Sequence, residues 1–178
     1  MKRILVPTDF SEHAEDALKV ASQIAKKNNS EIIILHMLEL PSQMNDAVLG
    51  GASIPETMLF MKKANEMLDE VASRSYLDGI QITEIVKMDK PIHGIAQVSK
   101  DYNIDLIVMG SHGSSGIEEL LIGSNTEKVV RNSESPVLII KKNISNFNAE
   151  NIVFASDFSA EAKKPFQKFL SFAKIFDS

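Results

Sequence analysis

Val108-Met-Gly-Ser-His-Gly-Ser-Ser-Gly-Ile-Glu-Glu-Leu-Leu-Ile-Gly-Ser124 decides the reading of this chain. The apolar run just before it, Asp105-Leu-Ile-Val-Met109, has the pattern of a strand buried on both faces, and it stops at Gly110. Gly110, Gly113 and Gly116 follow at every third position with only Ser and His between them. Glycines open positive φ and remove side-chain bulk, so main-chain N–H groups can close on an anion. Ser124-Asn-Thr-Glu127 then fits a capping box at the head of a helix running to about Asn132. A helix start offers unpaired N–H groups and the positive end of a dipole. One strand–loop–helix unit therefore carries two devices suited to phosphate. The alternative is a long polar turn whose glycines serve geometry alone. The spacing Gly110-x2-Gly113-x9-Gly123-Ser124 is neither a P-loop nor the G-x-G-x-x-G dinucleotide fingerprint.

The rest of the chain alternates strands and helices around this unit. Arg3-Ile-Leu-Val-Pro7 reads as a strand, with Thr8-Asp-Phe-Ser11 as its turn, and Ser11 or Asp9 as a cap for the next helix. That helix shows Ala14, Ala17, Leu18, Ala21, Ile24 and Ala25 at helical spacing and ends near Asn28-Asn29. Glu31–Met37 is a second doubly buried strand. Leu38–Pro55 is a long stretch without period, expected to be mobile until ligand binds. Pro55–Leu77 reads as a helix with Met58, Met61, Ala64, Leu68, Val71 and Ala72 inward, stopped by Gly79. Gln81–Val86 alternates as a strand near an edge. Pro91–Tyr102 is a helix, and Pro136–Ile140 the fifth strand. Five strands alternating with helices give a doubly wound parallel α/β sheet, whose ligands sit beyond the strands' C-terminal ends. The loops after the first and fourth strands, with Asp9 and the glycines, are the candidates.

Composition sets the outer limits. The chain has 178 residues, 44% hydrophobic and 24% charged, in the ordinary range for a globular domain. A net charge of −5 argues against nucleic acid as the partner. The absence of cysteine suits a reducing compartment, and no apolar run has the length of a bilayer span, so the expectation is a cytoplasmic protein without membrane contact.

Residues 1 to about 142 resemble the universal stress protein family. The resemblance rests on Ile-Leu-Val-Pro-Thr-Asp-Phe-Ser, Leu-His-Met, Asp-Leu-Ile-Val-Met-Gly-Ser-His-Gly-Ser-Ser-Gly and Ser-Pro-Val-Leu-Ile-Ile. The glycine spacing matches the family's Gly-x2-Gly-x9-Gly-Ser/Thr signature at every fixed position. It implies the strand order 3-2-1-4-5 and a stress-response role in binding ATP, with or without Mg2+ and with slow or no hydrolysis. Carried over, Gly110, Gly113, Gly123 and Ser124 hold phosphates, with His112 and Asn125 beside them. Asp9, with Thr8 and the main chain around Pro7 and Met37, faces the adenosine half. The resemblance also implies a homodimer through the fifth strand. A branch of the same fold that binds no nucleotide and works as an interaction module is the alternative.

Single residues carry competing readings. Asp9 can approach a ribose hydroxyl or magnesium, or cap the first helix. His112 has no nucleophile or orienting carboxylate named beside it, so it is read as a loop residue near phosphate rather than a catalyst. His36 closes an apolar strand as a satisfied core histidine. His13 and His93 lack metal-like spacing, and no metal site in the protein itself is expected. Met58, Met61 and Met67 read as core filling. Ser111, Ser114 and Ser115 suit either phosphate or a plain turn. A phosphoacceptor receiver domain would need an acidic pair after the first strand, whereas Thr8 precedes Asp9. An active ATPase rests on fold analogy alone.

The tail repeats the head. Asn151-Ile-Val-Phe-Ala-Ser-Asp-Phe-Ser-Ala-Glu-Ala162 aligns with Arg3-Ile-Leu-Val-Pro-Thr-Asp-Phe-Ser-Glu-His-Ala14, with Pro165 where Ala17 stood. The division expected is a nucleotide-binding domain over 1–144, a linker over 145–149, and the first strand and helix of a second, truncated repeat over 150–178. Phe154, Phe166, Phe169, Leu170, Phe172 and Phe176 give that fragment an apolar face to be buried on its own or a partner's domain.

Overall fold

The computed structural model describes residues 1–39, 54–112, 123–176 and 178. The stretch 40–53 with Gly50-Gly51, and the loop residues Gly113, Ser114, Ser115 and Gly116, lie outside the described residues, as does the mobility expected of Leu38–Pro55 within 40–53.

The first strand, β1 (Arg3–Thr8), is the centre of the sheet because both its faces are apolar. Leu5 pairs with Ile33 on one side and Ile107 on the other, both parallel. The neighbours are β2 (Glu31–Leu38) and β4 (Leu106–Gly110), and the edges are β3 (Ile82–Met88) and β5 (Val137–Ile140). The order is β3-β2-β1-β4-β5, so strand order reverses between β1 and β4.

Helices cover both faces. Ile4 and Val6 pack with Ala17, Leu18, Ala21 and Ile24 of α1 (Glu12–Asn28) and with Leu68 and Val71 of α2 (Ile54–Ala72). Leu5 points the other way, to Ile95 and Val98 of α3 (Pro91–Asp101) and Val129 of α4 (Ser124–Asn132). α1 starts where Ser11 Oγ accepts the Ala14 N–H at 3.2 Å and ends at Asn29, φ 51°.

Three expectations change. α2 ends at Ala72, and a separate 3-10 turn, Ser75–Leu77, follows, because Ser73 Oγ donates to Glu70 O at 2.7 Å and Arg74 turns extended. Met58 is 66% exposed rather than inward; the core takes α2 from Ala64 onward, with Leu68, Val71 and Ala72. His36 is satisfied as expected, its Nδ1 2.9 Å from Thr8 O, but half-buried rather than in the core.

Asp69 of α2 faces Glu84 of β3. Burial raises the Glu84 carboxyl above the ordinary carboxylate range, and the hydrogen bond and charge of Asp69 add to it. An acid raised in the folded state binds its proton more tightly folded than unfolded. Its favourable contribution is therefore full below the ordinary glutamate range and is lost as pH rises through the raised one. Glu84→Gln should flatten that fall in a pH series of thermal melts. At neutral pH it should gain less than about 1 kcal/mol, because the pair is largely exposed.

The tail beyond β5 folds back. α5 (Lys163–Phe176) buries Ala173 and Phe176, with Pro165 tolerated in its first turn. Phe176 meets Phe147 edge-on at 5.4 Å and lies under Lys27 Nζ at 4.8 Å, and Gln23 Oε1 accepts the Phe147 N–H at 2.7 Å. Lys168 donates to Glu134 O, just before β5. Residues 151–155, within the stretch expected to hold a strand, form none.

Candidate functional site

The cleft forms where the order reverses, and each wall is set by a local device. At the end of β1, Thr8 Oγ1 accepts the Phe10 N–H at 3.0 Å and Asp9 Oδ1 accepts the Ser11 N–H at 3.1 Å. These two bonds hold Phe10 at φ 64°, a conformation a bulky residue seldom adopts. Its ring then lies 4.4 Å from that of His36, fixing the turn against β2. Asp9 therefore shapes the turn with its own carboxylate while remaining exposed on the cleft.

The opposite wall is the glycine loop's frame. Ser111 N–H donates to Ile140 O at 2.8 Å, carrying the β4 ladder one residue further. Gly123 N–H donates to Ser111 O at 2.7 Å, so the two ends of the loop are pinned together. Thr126 Oγ1 donates to Gly110 O at 3.0 Å and seats the first turn of α4 on the end of β4. The capping box expected at Ser124 is not made. Gly123 is the N-cap, with no side-chain cap bond, and Glu127 pairs with Arg131 at 2.9 Å instead. Ser124 and Asn125 occupy the first turn, exposed, where a helix has N–H groups without intrahelical acceptors.

Gly110 sits where no side chain fits. A Cβ there would stand 2.7 Å from His13 O and 2.9 Å from His13 C, the backbone of the first turn of α1. His112 leans the same way: its ring centroid lies 5.7 Å from that of His13, and its Nδ1 lies 3.0 Å from Ser111 Oγ. The buried His112 Nε2 has no hydrogen-bond partner among the described residues.

Pro7, Thr8, Asp9, Met37, Gly110, His112, Gly123, Ser124 and Asn125 all line one cleft of about 200 Å3. Gly113 is outside the described residues. The sequence reading missed Ala14, Leu35, Pro91, Ile95, Met109 and Thr126, which also line it. Leu35 and Met109 stand near the C-terminal ends of the strands flanking β1, a position the strand order would have marked. The cleft thus has an apolar half (Leu35, Met37, Ile95, Met109) and a polar half lined by Gly110, Gly123, Ser124 and Asn125, where the first turn of α4 begins. Among the described residues no group of three or more His, Asp and Glu is placed to hold a metal, and no helix is long and apolar enough to cross a membrane.

Met37 offers a probe of the apolar half. A Cβ on Gly94 of α3 would lie 2.1 Å from Met37 Cε and 2.6 Å from its Sδ, so the flexible thioether must swing away. Gly94→Ala should change stability by less than about 1 kcal/mol, since helix propensity gains what repacking loses. It should weaken a cleft ligand severalfold, measured by titration, because Met37 is part of the wall.

The model of the universal stress protein family matches residues 1–141. Universal stress protein MJ0577 of Methanocaldococcus jannaschii is 30% identical over 154 residues, covering 79% of this chain and 95% of its own. YxiE of Bacillus subtilis is 30% identical over 145 residues, covering 78% and 98%. The solved structure of MJ0577 superposes with a TM-score of 0.65 at 32% identity, covering 81% of this chain and 98% of that one. A universal stress protein solved in complex with cAMP shares the fold, with a TM-score of 0.55 at 24% identity, covering 78% and 95%.

Proposed function

Because the chain belongs to the universal stress protein family, we propose that its cleft binds an adenine nucleotide, ATP with magnesium, as a regulatory ligand turned over slowly or not at all. The carrying observation is the division of one cleft into an apolar half and a polar half at the start of α4. Adenosine suits the first half, between Pro7, Met37 and Ile95, with Asp9 at the ribose or at magnesium. Phosphates suit the second, where Gly123 carries no side chain at the start of α4 and the Ser124 hydroxyl is not spent on a cap. The cleft is narrower than the roughly 300–1,000 Å3 usual for small-molecule sites. A nucleotide seated in it therefore runs out over the exposed Ser124 and Asn125. A universal stress protein of this fold has been solved with cAMP, which keeps the nucleotide class within the fold's range.

Slow turnover follows from how the titratable groups are held. Phosphoryl transfer needs a group that orients the attacking oxygen and cations that gather the developing charge. Asp9 Oδ1 holds the Ser11 N–H, and His112 leans on His13 and Ser111. Neither is aimed as a base. We assign the protein to stress response in the cytoplasm, acting without nucleic acid, as a homodimer through β5, which among the described residues has a strand neighbour on one side only. A downstream protein partner would read the nucleotide state.

The test is a mass spectrum of the small molecules released when the purified protein is denatured, followed by melts with added ATP and magnesium. The expected result is an adenine nucleotide in the spectrum. At a hundredfold excess over Kd the folded state should gain ~2.7 kcal/mol. A nucleotide-free protein whose melting is unmoved by millimolar ATP would leave only the interaction module.

A further inference from the structure

One imidazole holds the turn that carries Asp9 at both its ends. His36 is paired with Thr8 in the register of β1 and β2, and its Nδ1 lies 2.9 Å from Thr8 O. A carbonyl oxygen only accepts, so Nδ1 carries the proton and donates it. The same ring lies 4.4 Å from that of Phe10, centroid to centroid, with the planes tilted by 36°. Thr8 and Phe10 are the residues immediately before and after Asp9. Leu35 and Met37, on either side of His36, line the cleft. Alternation along β2 turns His36 to the opposite face, where Phe10 packs against the core beneath α1 and α2. His36 thus touches both chain neighbours of Asp9 without being part of the cleft wall.

The shape and the placement of this turn have separate origins. Its shape is internal, since Thr8 Oγ1 accepts the Phe10 N–H and Asp9 Oδ1 accepts the Ser11 N–H. In the tail, Ser156 Oγ accepts the Phe158 N–H at 3.0 Å, Asp157 Oδ1 accepts the Ser159 N–H at 2.9 Å, and Phe158 sits at φ 59°. Those four residues make the same turn on their own. What the internal bonds do not decide is where the finished turn stands against β2, whose Met37 belongs to the apolar half of the cleft. The pairing of β1 with β2 ends at Thr8, so the turn leaves the sheet there. The Nδ1 bond fixes its entry. The ring contact fixes its exit and helps hold Phe10 at φ 64°, which a bulky residue seldom adopts. A hydrogen bond is lost when its partners separate by about 0.5 Å beyond the normal length. A turn loosened at both ends would carry the Asp9 carboxylate out of such reach.

We propose that His36 is a positioning residue for the nucleotide: from the far face of the sheet it fixes where the Asp9 carboxylate meets the ribose or magnesium. This rests on the nucleotide reading above and adds to it a residue that does not touch the ligand.

Calorimetric titration of the full chain with ATP and magnesium, beside thermal melts that confirm folding, tests it. His36→Phe keeps a ring against Phe10 and loses the donor, and it should weaken binding about tenfold. His36→Asn keeps a donor nitrogen in the place of Nδ1 and should bind within about threefold of the parent. Asp9→Asn keeps an oxygen for the Ser11 N–H and removes the charge. In that background His36→Phe should weaken binding no further, because the two residues act through one contact. Phe10→Leu loosens the other end of the turn and should weaken binding with the same dependence on Asp9; it carries the test if His36→Phe does not fold. Equal affinity of the parent and His36→Phe overturns the proposal. So does a loss in His36→Asn as large as that in His36→Phe, or one that persists undiminished beside Asp9→Asn. A folded parent chain that binds no nucleotide overturns the nucleotide reading itself, and the role of His36 with it.

Discussion

Gly110→Val is expected to abolish nucleotide binding and to destabilise the fold together. The Cβ alone would stand 2.7 Å from the His13 carbonyl oxygen, closer than real Cβ contacts come. The obstacle is backbone in the first turn of α1, fixed by the Ser11 cap, so it cannot rotate aside as a side chain would. Either α1 shifts off the end of β4 or β4 bends into the cleft. Overpacking of this kind costs about 1–3 kcal/mol, and valine adds two methyls to the clash. Thermal melts should show the loss, and titration should show affinity down by more than about a hundredfold, ~2.7 kcal/mol. A variant that melts normally and binds normally would mean that β4 and α1 are not packed as described.

Gly113→Val and His112→Ala should separate backbone from side chain in the same loop. Gly113 is outside the described residues, so its role comes from the spacing Gly110-x2-Gly113-x9-Gly123 and the approach that a bare backbone allows. A valine there should take the place of a phosphate and reduce affinity by more than about tenfold, ~1.4 kcal/mol. His112 leans on His13 and Ser111, with its Nε2 buried, so its removal should cost stability more than affinity. Calorimetric titration of both variants beside thermal melts would show it. The opposite ranking, with Gly113→Val binding normally and His112→Ala not, would move the phosphate contact from the main chain to the imidazole.

The sheet was legible because its three inner strands, β1, β2 and β4, are buried on both faces. Ile4-Leu-Val6 and Ile32–Leu35 read as continuous apolar runs because helices cover both faces, and that alone points to a doubly wound parallel sheet. The strand order came from resemblance, since alternation does not say which strands are neighbours. Helix starts were less legible where glycine and serine compete. Ser124-Asn-Thr-Glu127 has the letters of a capping box, yet Gly123 caps the helix because its N–H is held by Ser111 O and its carbonyl accepts the Glu127 N–H at 2.9 Å. That difference bears on the site, for it leaves the Ser124 hydroxyl to the cleft. Met58 misled because helical spacing gives a face without saying how far along its length the core reaches. Thr126 escaped notice because a buried threonine bonding to Gly110 O has no signature in sequence.

The turn at Asp9 was read as cap or ligand. The structure shows a third use: the carboxylate holds Ser11 N–H, while the Ser11 hydroxyl caps the helix. Its recurrence at Asp157 shows that four residues specify that turn without the surrounding sheet.

Calorimetric titration of the purified, nucleotide-stripped chain with ATP in the presence of magnesium tests the central claim most directly. The account predicts saturable heat with one nucleotide per chain, lost in Gly110→Val and retained in His112→Ala. No heat at millimolar ATP, from protein whose melt shows it folded, would contradict it.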